Sequence, residues 1–406
     1  MSISEIRRQF PVLDTQVYGK PLVYLDNAAT SHRPNAVMDC WNNLVSSHNA
    51  NIHRAVHRLA IEATDAYEET RDRVKDFLHA GHREEIIFTS GATAAINLVA
   101  FSFGEAFVHE GDEIVVSVAE HHSNIVPWQL LCERKNAKLK VLDIRENGEL
   151  AVDRLEKLLS QRTKIVAISH ISNVLGLVNP VREIVTVCHK HGIPVLVDGA
   201  QGVVHAPVDV QALDCDFYAF SGHKLYAATG TGVLYGKRKW LEQMPPYMGG
   251  GEMIEHVSFQ KTTYAPLPEK FEAGTQNVNG VPTLVPAMAF ADACRQDPVI
   301  QAEQEAILDL VYRKLTEDER ITLYGVPRGT KIPLFSFKVD GAHHEDLALI
   351  LDKMGIALRS GQMCAEPLMD RLGVTGLLRA SFAPYNTVAE AEYFLKCLDR
   401  AINMLI

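Results

Sequence analysis

The chain has 406 residues, of which 47% are hydrophobic, and a formal net charge of −10. Such a length exceeds one ordinary hydrophobic core and the composition excludes a disordered chain, so two folded domains are expected. The acidic balance argues against a nucleic-acid partner bound by phosphate neutralisation.

Ser2-Ile3-Ser4-Glu5 has the pattern of a capping box, and Pro11 ends a short first helix. The segment Met1 to Asp14 has no apolar h-region, so a secretory signal is not expected. Residues 56–80 carry apolar positions at helical spacing and predict an amphipathic helix. Short β-branched runs follow at Ile86–Phe88, Ile114–Val118, Leu139–Ile144, Ile165–Ile168, Val195–Val197, Phe217–Phe220 and Val233–Tyr235, most of them separated by helical patterns. This alternation predicts an α/β domain with a mainly parallel sheet covered on both faces. After about residue 290 the pattern changes. A helical stretch to about 317 precedes strands at Leu334–Val339 and Ala357–Ser360, with a helix at about 345–354 between them. A last helix opens at the capping box Thr387-Val388-Ala389-Glu390. This part reads as a smaller α+β domain.

Cysteines stand at 40, 132, 188, 215, 294, 364 and 397, an odd number without a C-x-x-C pair. Neither a disulfide framework nor a zinc ribbon is expected, and a reducing cytoplasm is. No run of about 18 apolar residues predicts a membrane span.

Ligands of open parallel sheets bind outside the carboxyl ends of the strands, and the informative residues fall there. Phe88-Thr89-Ser90-Gly91-Ala92-Thr93 runs from strand through turn to helix, where free N–H groups of Ala92 and Thr93 and the Thr93 hydroxyl would bind a phosphate; an ordinary turn is the alternative. Val197-Asp198-Gly199-Ala200-Gln201 sets a carboxylate just past a buried strand. It would pair with a protonated ring nitrogen, or cap a helix. Ser221-Gly222-His223-Lys224 ends another buried strand on a lysine, a residue rarely found there. An amine in so apolar a place suits Schiff-base chemistry; snorkelling to solvent is the alternative. Asp198 lies about one βαβ step before Lys224, which favours the chemical reading. Of His121-His122, an imidazole could stack on a ring. Adjacent side chains seldom share one site and no H-E-x-x-H pattern occurs, so no metal is expected, there or at His343-His344-Glu345-Asp346, which reads as a solvated helix start. Arg359-Ser360-Gly361-Gln362-Met363-Cys364 ends in a cysteine on an exposed loop, a candidate nucleophile. Arg379, in a strand-like context, would fork onto a substrate carboxylate or a structural acid.

Together these motifs resemble the cysteine desulfurases of pyridoxal 5′-phosphate (PLP) fold type I, in the class-V aminotransferase family, over nearly the whole chain. The group includes the SufS, cysteine sulfinate desulfinase and selenocysteine lyase branches. The resemblance runs from Tyr24-Leu25-Asp26-Asn27-Ala28-Ala29-Thr30 to Leu378-Arg379-Ala380-Ser381, and Arg359-x-Gly361-x-x-Cys364 narrows it to the desulfurases. It implies a large domain over 22–290 with a seven-stranded sheet, and a small domain from 1–21 and 291–406 carrying the cysteine loop. It implies that Lys224 carries the cofactor as a Schiff base, Asp198 holds the ring nitrogen, Gln201 bonds the ring hydroxyl and His122 stacks on the ring. Ala92, Thr93, Ser221 and His223 would bind the phosphate, with Thr275 from the second subunit of a homodimer. Ala28, Asn173, Arg359 and Arg379 would hold L-cysteine, and Cys364 would receive its sulfur as a persulfide for a SufE-like acceptor and iron–sulfur cluster assembly. Three departures stand out: Gln362-Met363 replace the usual histidine before the cysteine, Ala227-Ala228 a common Gly-Pro, and Ala55 a usual glycine. The motifs leave open the choice among cysteine, cysteine sulfinate and selenocysteine. An aminotransferase or kynureninase-like hydrolase on the same fold is the rival enzyme, and a scaffold that lost catalysis the rival class.

Overall fold

A computed structural model describes residues 2–406. All seven apolar runs enter one sheet. Its strands are β1 Ile86–Thr89, β2 Glu113–Ser117, β3 Lys138–Leu142, β4 Thr163–Ser169, β5 Val195–Asp198, β6 Phe217–Ser221 and β7 Gly232–Gly236. Their spatial order is β1-β7-β6-β5-β4-β2-β3. Only β7 runs antiparallel to its neighbours, β1 and β6. Every residue of β5, β6 and β7 is buried. Val195 and Val197 join one core, while Leu196 between them joins another on the opposite face. Both faces are therefore dry, which is why these strands read as continuous apolar runs and not as alternation. Each large aliphatic side chain so buried contributes roughly 1.5–3 kcal/mol.

The first helix, α1 Ile3–Arg7, starts at the expected capping box. Helix α2 Arg58–Phe77 lies within the predicted 56–80. Helix α3 Ala92–Phe107 leaves β1 through Gly91. There Gly232 of β7 passes so close that a Cβ on it would sit 2.3 Å from the Gly91 Cα. Two glycines thus let the phosphate-type turn lie flat on the sheet.

The helical stretch up to residue 317 is two helices, α4 Leu284–Gln296 and α5 Pro298–Glu317. Pro298 lacks an N–H, and the Asp297 carboxylate caps the new helix by accepting from the N–H groups of Val299 and Ile300. Beyond it lie β8 Ile321–Tyr324, β9 Leu334–Val339, α6 His344–Lys353, β10 Arg359–Gly361, α7 Glu366–Leu372, β11 Leu377–Ser381 and α8 Val388–Leu405. The four strands form a second sheet in the order β8-β9-β11-β10, antiparallel throughout. The strand expected at Ala357–Ser360 is divided. Ile356–Ala357 pairs with Val23–Tyr24, whereas Arg359–Gly361 pairs with β11, so the chain changes partner at Leu358.

A separate apolar core joins α5, α6, α8 and β9 with Val23 and Leu25, whereas Ile6, Phe10 and Leu13 pack in the larger core. The two sheets are tied through the loop after β4. The Lys331 amine donates to the carbonyls of Leu175 (2.7 Å) and Gly325 (3.0 Å), and Ser336 Oγ donates to Val174 O. This anchors Asn173 between them. Among the described residues, no helix is long and apolar enough to cross a membrane.

Candidate active site

The carboxyl ends of β4, β5 and β6 open into a cavity of about 350 Å³ whose other wall is the loop after β10. That volume suits a small cofactor together with a substrate. Ala28, Ala92, Thr93, Asn173, Asp198, Gln201, Ser221, His223, Lys224, Arg359, Cys364 and Arg379 all line it. Of the residues expected to bind cofactor or substrate or to react, His122 and Thr275 stand outside.

Lys224 follows β6 and projects into the cavity. Burial pushes its pKa down, with Asp198 opposing and Arg379 assisting the shift. The amine is therefore nearer to the neutral, nucleophilic form than an exposed lysine. Asp198, the last residue of β5, is buried, and burial pushes its carboxyl up against the pull of Lys224. Its Oδ1 accepts one backbone N–H, from Ala200 at 2.9 Å. A buried carboxylate so sparsely bonded favours a cation beside it. Gln201 Nε2 donates to the Ala28 carbonyl at 2.8 Å, so the amide is pinned against the opposite wall.

At the turn into α3, Ser221 Oγ accepts from the Ala92 N–H at 2.8 Å. Thr93 Oγ1 bonds Ser123 Oγ at 3.1 Å, and Ser123 Oγ lies 2.7 Å from His121 Nδ1. His223 Nδ1 lies 3.2 Å from Thr30 Oγ1; burial, then Lys224 and Arg33, hold its pKa down at about 4. The Thr93 and Ser221 hydroxyls thus gather at one helix start, where the Ala92 N–H, expected free, is taken by Ser221.

The histidine in the wall is His121, not His122. His121 also accepts the Ser123 N–H on Nδ1 at 3.1 Å, and burial, followed by Lys224, lowers its pKa to about 3. It is a neutral ring with its proton on Nε2. The turn His122–Asn124 rotates its neighbour outward. There the His122 N–H meets Cys364 O at 2.7 Å, and its Nε2 accepts the Glu366 N–H at 3.0 Å. Adjacent residues leaving a strand point apart, and the sequence alone does not say which faces inward.

Arg379, on β11, is buried. It donates to Asn173 O (2.8 Å) and to Asp26 Oδ1 (3.1 Å), and among the described residues its Nε has no partner. Arg359, on β10, reaches the same carboxylate, with Nη2 2.9 Å from Asp26 Oδ2. Two guanidinium groups facing one cavity around a shared acid form a seat for a second carboxylate. Asp26 is the residue sequence reasoning missed here; its place in the Asp26-Asn27-Ala28-Ala29-Thr30 motif was the available signal. Cys364 is exposed at the mouth. Met363 and Cys364 both have left-handed backbone, at φ 51° and 54°. Asn173 Nδ2 holds Met363 O at 2.9 Å. Thr275 is exposed and lies away from this cavity. Among the described residues, no cluster of three or more metal-ligating side chains occurs.

Residues 23–394 match the family described as aminotransferase class-V. The chain is 44% identical over 405 residues to a probable cysteine desulfurase of Vibrio cholerae serotype O1, with 100% of each chain covered. It is 46% identical over 400 residues to a probable cysteine desulfurase of Halalkalibacterium halodurans, covering 98% of each. Its structure is similar to that of the Escherichia coli cysteine desulfurase CsdA in an S-sulfonic acid form, with a TM-score of 0.91, 40% identity and 100% of each chain covered. An apo cysteine desulfurase from Thermococcus onnurineus superposes with a TM-score of 0.92 at 36% identity, over 99% of this chain and 98% of that one.

Proposed function

The chain belongs to the class-V aminotransferase family, and from that premise we propose that it is a PLP-dependent cysteine desulfurase. The observation that carries the reading is one cavity bordered by a half-buried lysine whose pKa is pushed down, a buried guanidinium N–H without a partner among the described residues, and an exposed cysteine. The residues fit the cofactor. Lys224 would hold it covalently, Asp198 would face its ring nitrogen, the neutral ring of His121 would lie against it and Gln201 would meet its hydroxyl. Ala92, Thr93, Ser221 and His223 would take its phosphate, with Thr275 of the partner subunit in a homodimer. Exposed Trp41 and Val45 on the helix Asn35–Ser47, and Leu59 and Ile61 on α2, support such a dimer. When bound, PLP supplies a conjugated ring that draws electrons from the substrate α-carbon.

The chain's own groups do the rest. Arg379 and Arg359 seat the L-cysteine carboxylate, with Asn173 and Ala28 bounding the seat. The Lys224 amine, released by the substrate amine, takes the proton from the substrate Cα and returns it. Cys364 sulfur attacks the substrate sulfur. An S–S bond forms, the Cβ–S bond breaks and its electron pair stays on carbon. L-cysteine and one thiol thus become L-alanine and one persulfide, which a SufE-like acceptor collects for iron–sulfur cluster assembly in the cytoplasm. The domain around the large sheet would bind the cofactor, and the chain beyond residue 291 would carry the cysteine loop; residues 1–21, expected with the small domain, pack Ile6, Phe10 and Leu13 into the larger core, while Val23 and Leu25 join the smaller one.

Two variants test this. Lys224→Ala is expected to lower alanine formation by at least about 10²–10⁴-fold. Cys364→Ala is expected to form no persulfide yet to bind L-cysteine at an intact cofactor, seen as a change in its absorption. Persulfide formation at the normal rate in either variant would remove the assigned roles.

A further inference from the structure

Helix α7 begins two residues after Cys364, and its start lacks a side-chain cap of its own. The residue before it is Ala365, which has no side chain to accept an N–H. The Glu366 N–H is satisfied instead from the large sheet's side, by His122 Nε2 at 3.0 Å. The same histidine donates its backbone N–H to Cys364 O at 2.7 Å. His122 thus grips the loop on both sides of the Cys364–Glu366 step. The loop needs a grip: Met363 and Cys364 hold left-handed backbone, which costs a non-glycine residue roughly 1–3 kcal/mol each. A single further bond, from Asn173 to Met363 O, holds it on the cavity side. Such strain persists only where the surroundings over-determine it.

We propose that His122 is a positioning residue that sets Cys364 for attack on the substrate sulfur by capping α7 from the opposite domain. The proposal rests on the desulfurase reading above and assigns His122 a part in the sulfur-transfer step alone. Its Nε2 must accept, so its proton sits on Nδ1, the reverse of His121. Glutamine can place an oxygen acceptor near the Nε2 position, and phenylalanine fills the same space with no acceptor.

The test uses the holoenzyme and two readouts. One is the absorption change on adding L-cysteine, which reports substrate binding at the cofactor. The other is the rate of first-turnover persulfide formation on Cys364, measured by mass spectrometry. His122→Phe is expected to keep the first and slow the second about tenfold, as loss of one well-placed hydrogen bond implies. His122→Gln is expected to recover the rate to within about twofold. Unchanged persulfide formation in His122→Phe, or equal loss of both readouts, or failure of Gln to recover the rate, would overturn the proposal. If the unmodified enzyme itself forms neither alanine nor persulfide, it is the desulfurase reading that fails.

Discussion

Glu120, beside the cavity histidine, is fully buried and takes hydrogen bonds from Ser117 Oγ at 2.5 Å and Asn124 Nδ2 at 2.8 Å. Burial raises its pKa from 4.5 to about 7. A carboxyl whose pKa is raised by folding favours the folded state while protonated in both states. That contribution is complete below about pH 4.5 and is lost as the pH rises towards 7. Glu120→Gln keeps the shape and removes the titration. The difference in stability between Gln variant and native chain is expected to grow in the variant's favour from pH 4.5 to 7, by about 1.4 kcal/mol per unit of pKa shift. Denaturant unfolding at several pH values measures it, and parallel curves would contradict it. At this scale the sequence was legible where a residue ends a buried strand. Asp198, Ser221 and Lys224 could be placed because strand direction decides where they emerge. His122 was expected against the ring, whereas His121 lines the cavity, because a single-turn rotation decides which imidazole faces it. Asp26 passed unnoticed because its meaning depends on Arg359 and Arg379, which arrive from strands far along the chain.

The elements show the same division. Seven β-branched runs became seven strands; in six of them near-continuous burial leaves a plain apolar signal, while the edge strand β3 is largely exposed and buries only Leu142. The strand between Ile356 and Gly361 did not read correctly, since its break reflects a change of partner, which is a tertiary event. Pro298 marked a helix boundary that overall apolar periodicity concealed. The junction of β1, α3 and β7 depends on Gly232, and a side chain there meets Gly91 backbone and not a movable side chain. Gly232→Ala is expected to cost about 1–3 kcal/mol, the usual penalty of overpacking. It should also weaken phosphate-dependent retention of the cofactor, because the displaced turn carries Ala92 and Thr93. Equilibrium unfolding and dialysis of the holoenzyme check both effects; a variant as stable and as well loaded as the native chain would refute the strain argument.

At the scale of the molecule, one chain presents the cavity but not Thr275, whose exposed position suits a neighbour's site better than its own. Sedimentation is expected to give a dimer, and Thr275→Ala is expected to weaken cofactor retention about tenfold or more, as loss of a hydrogen bond to a charged phosphate implies. A monomer with full cofactor, or no effect of the substitution, would contradict that arrangement. The two sheets are held together by the loop after β4, through Lys331 and Ser336, so that Asn173 of that loop and Arg379 of the second sheet meet over one cavity. The chemistry proposed here depends on that meeting. The most direct measurement is to incubate the PLP-loaded protein with L-cysteine and a thiol reductant and to quantify alanine and sulfide in the same sample. The account predicts equal release of both, abolished in Lys224→Ala. Neither product from a protein shown to hold its cofactor, or pyruvate in place of alanine, would contradict it.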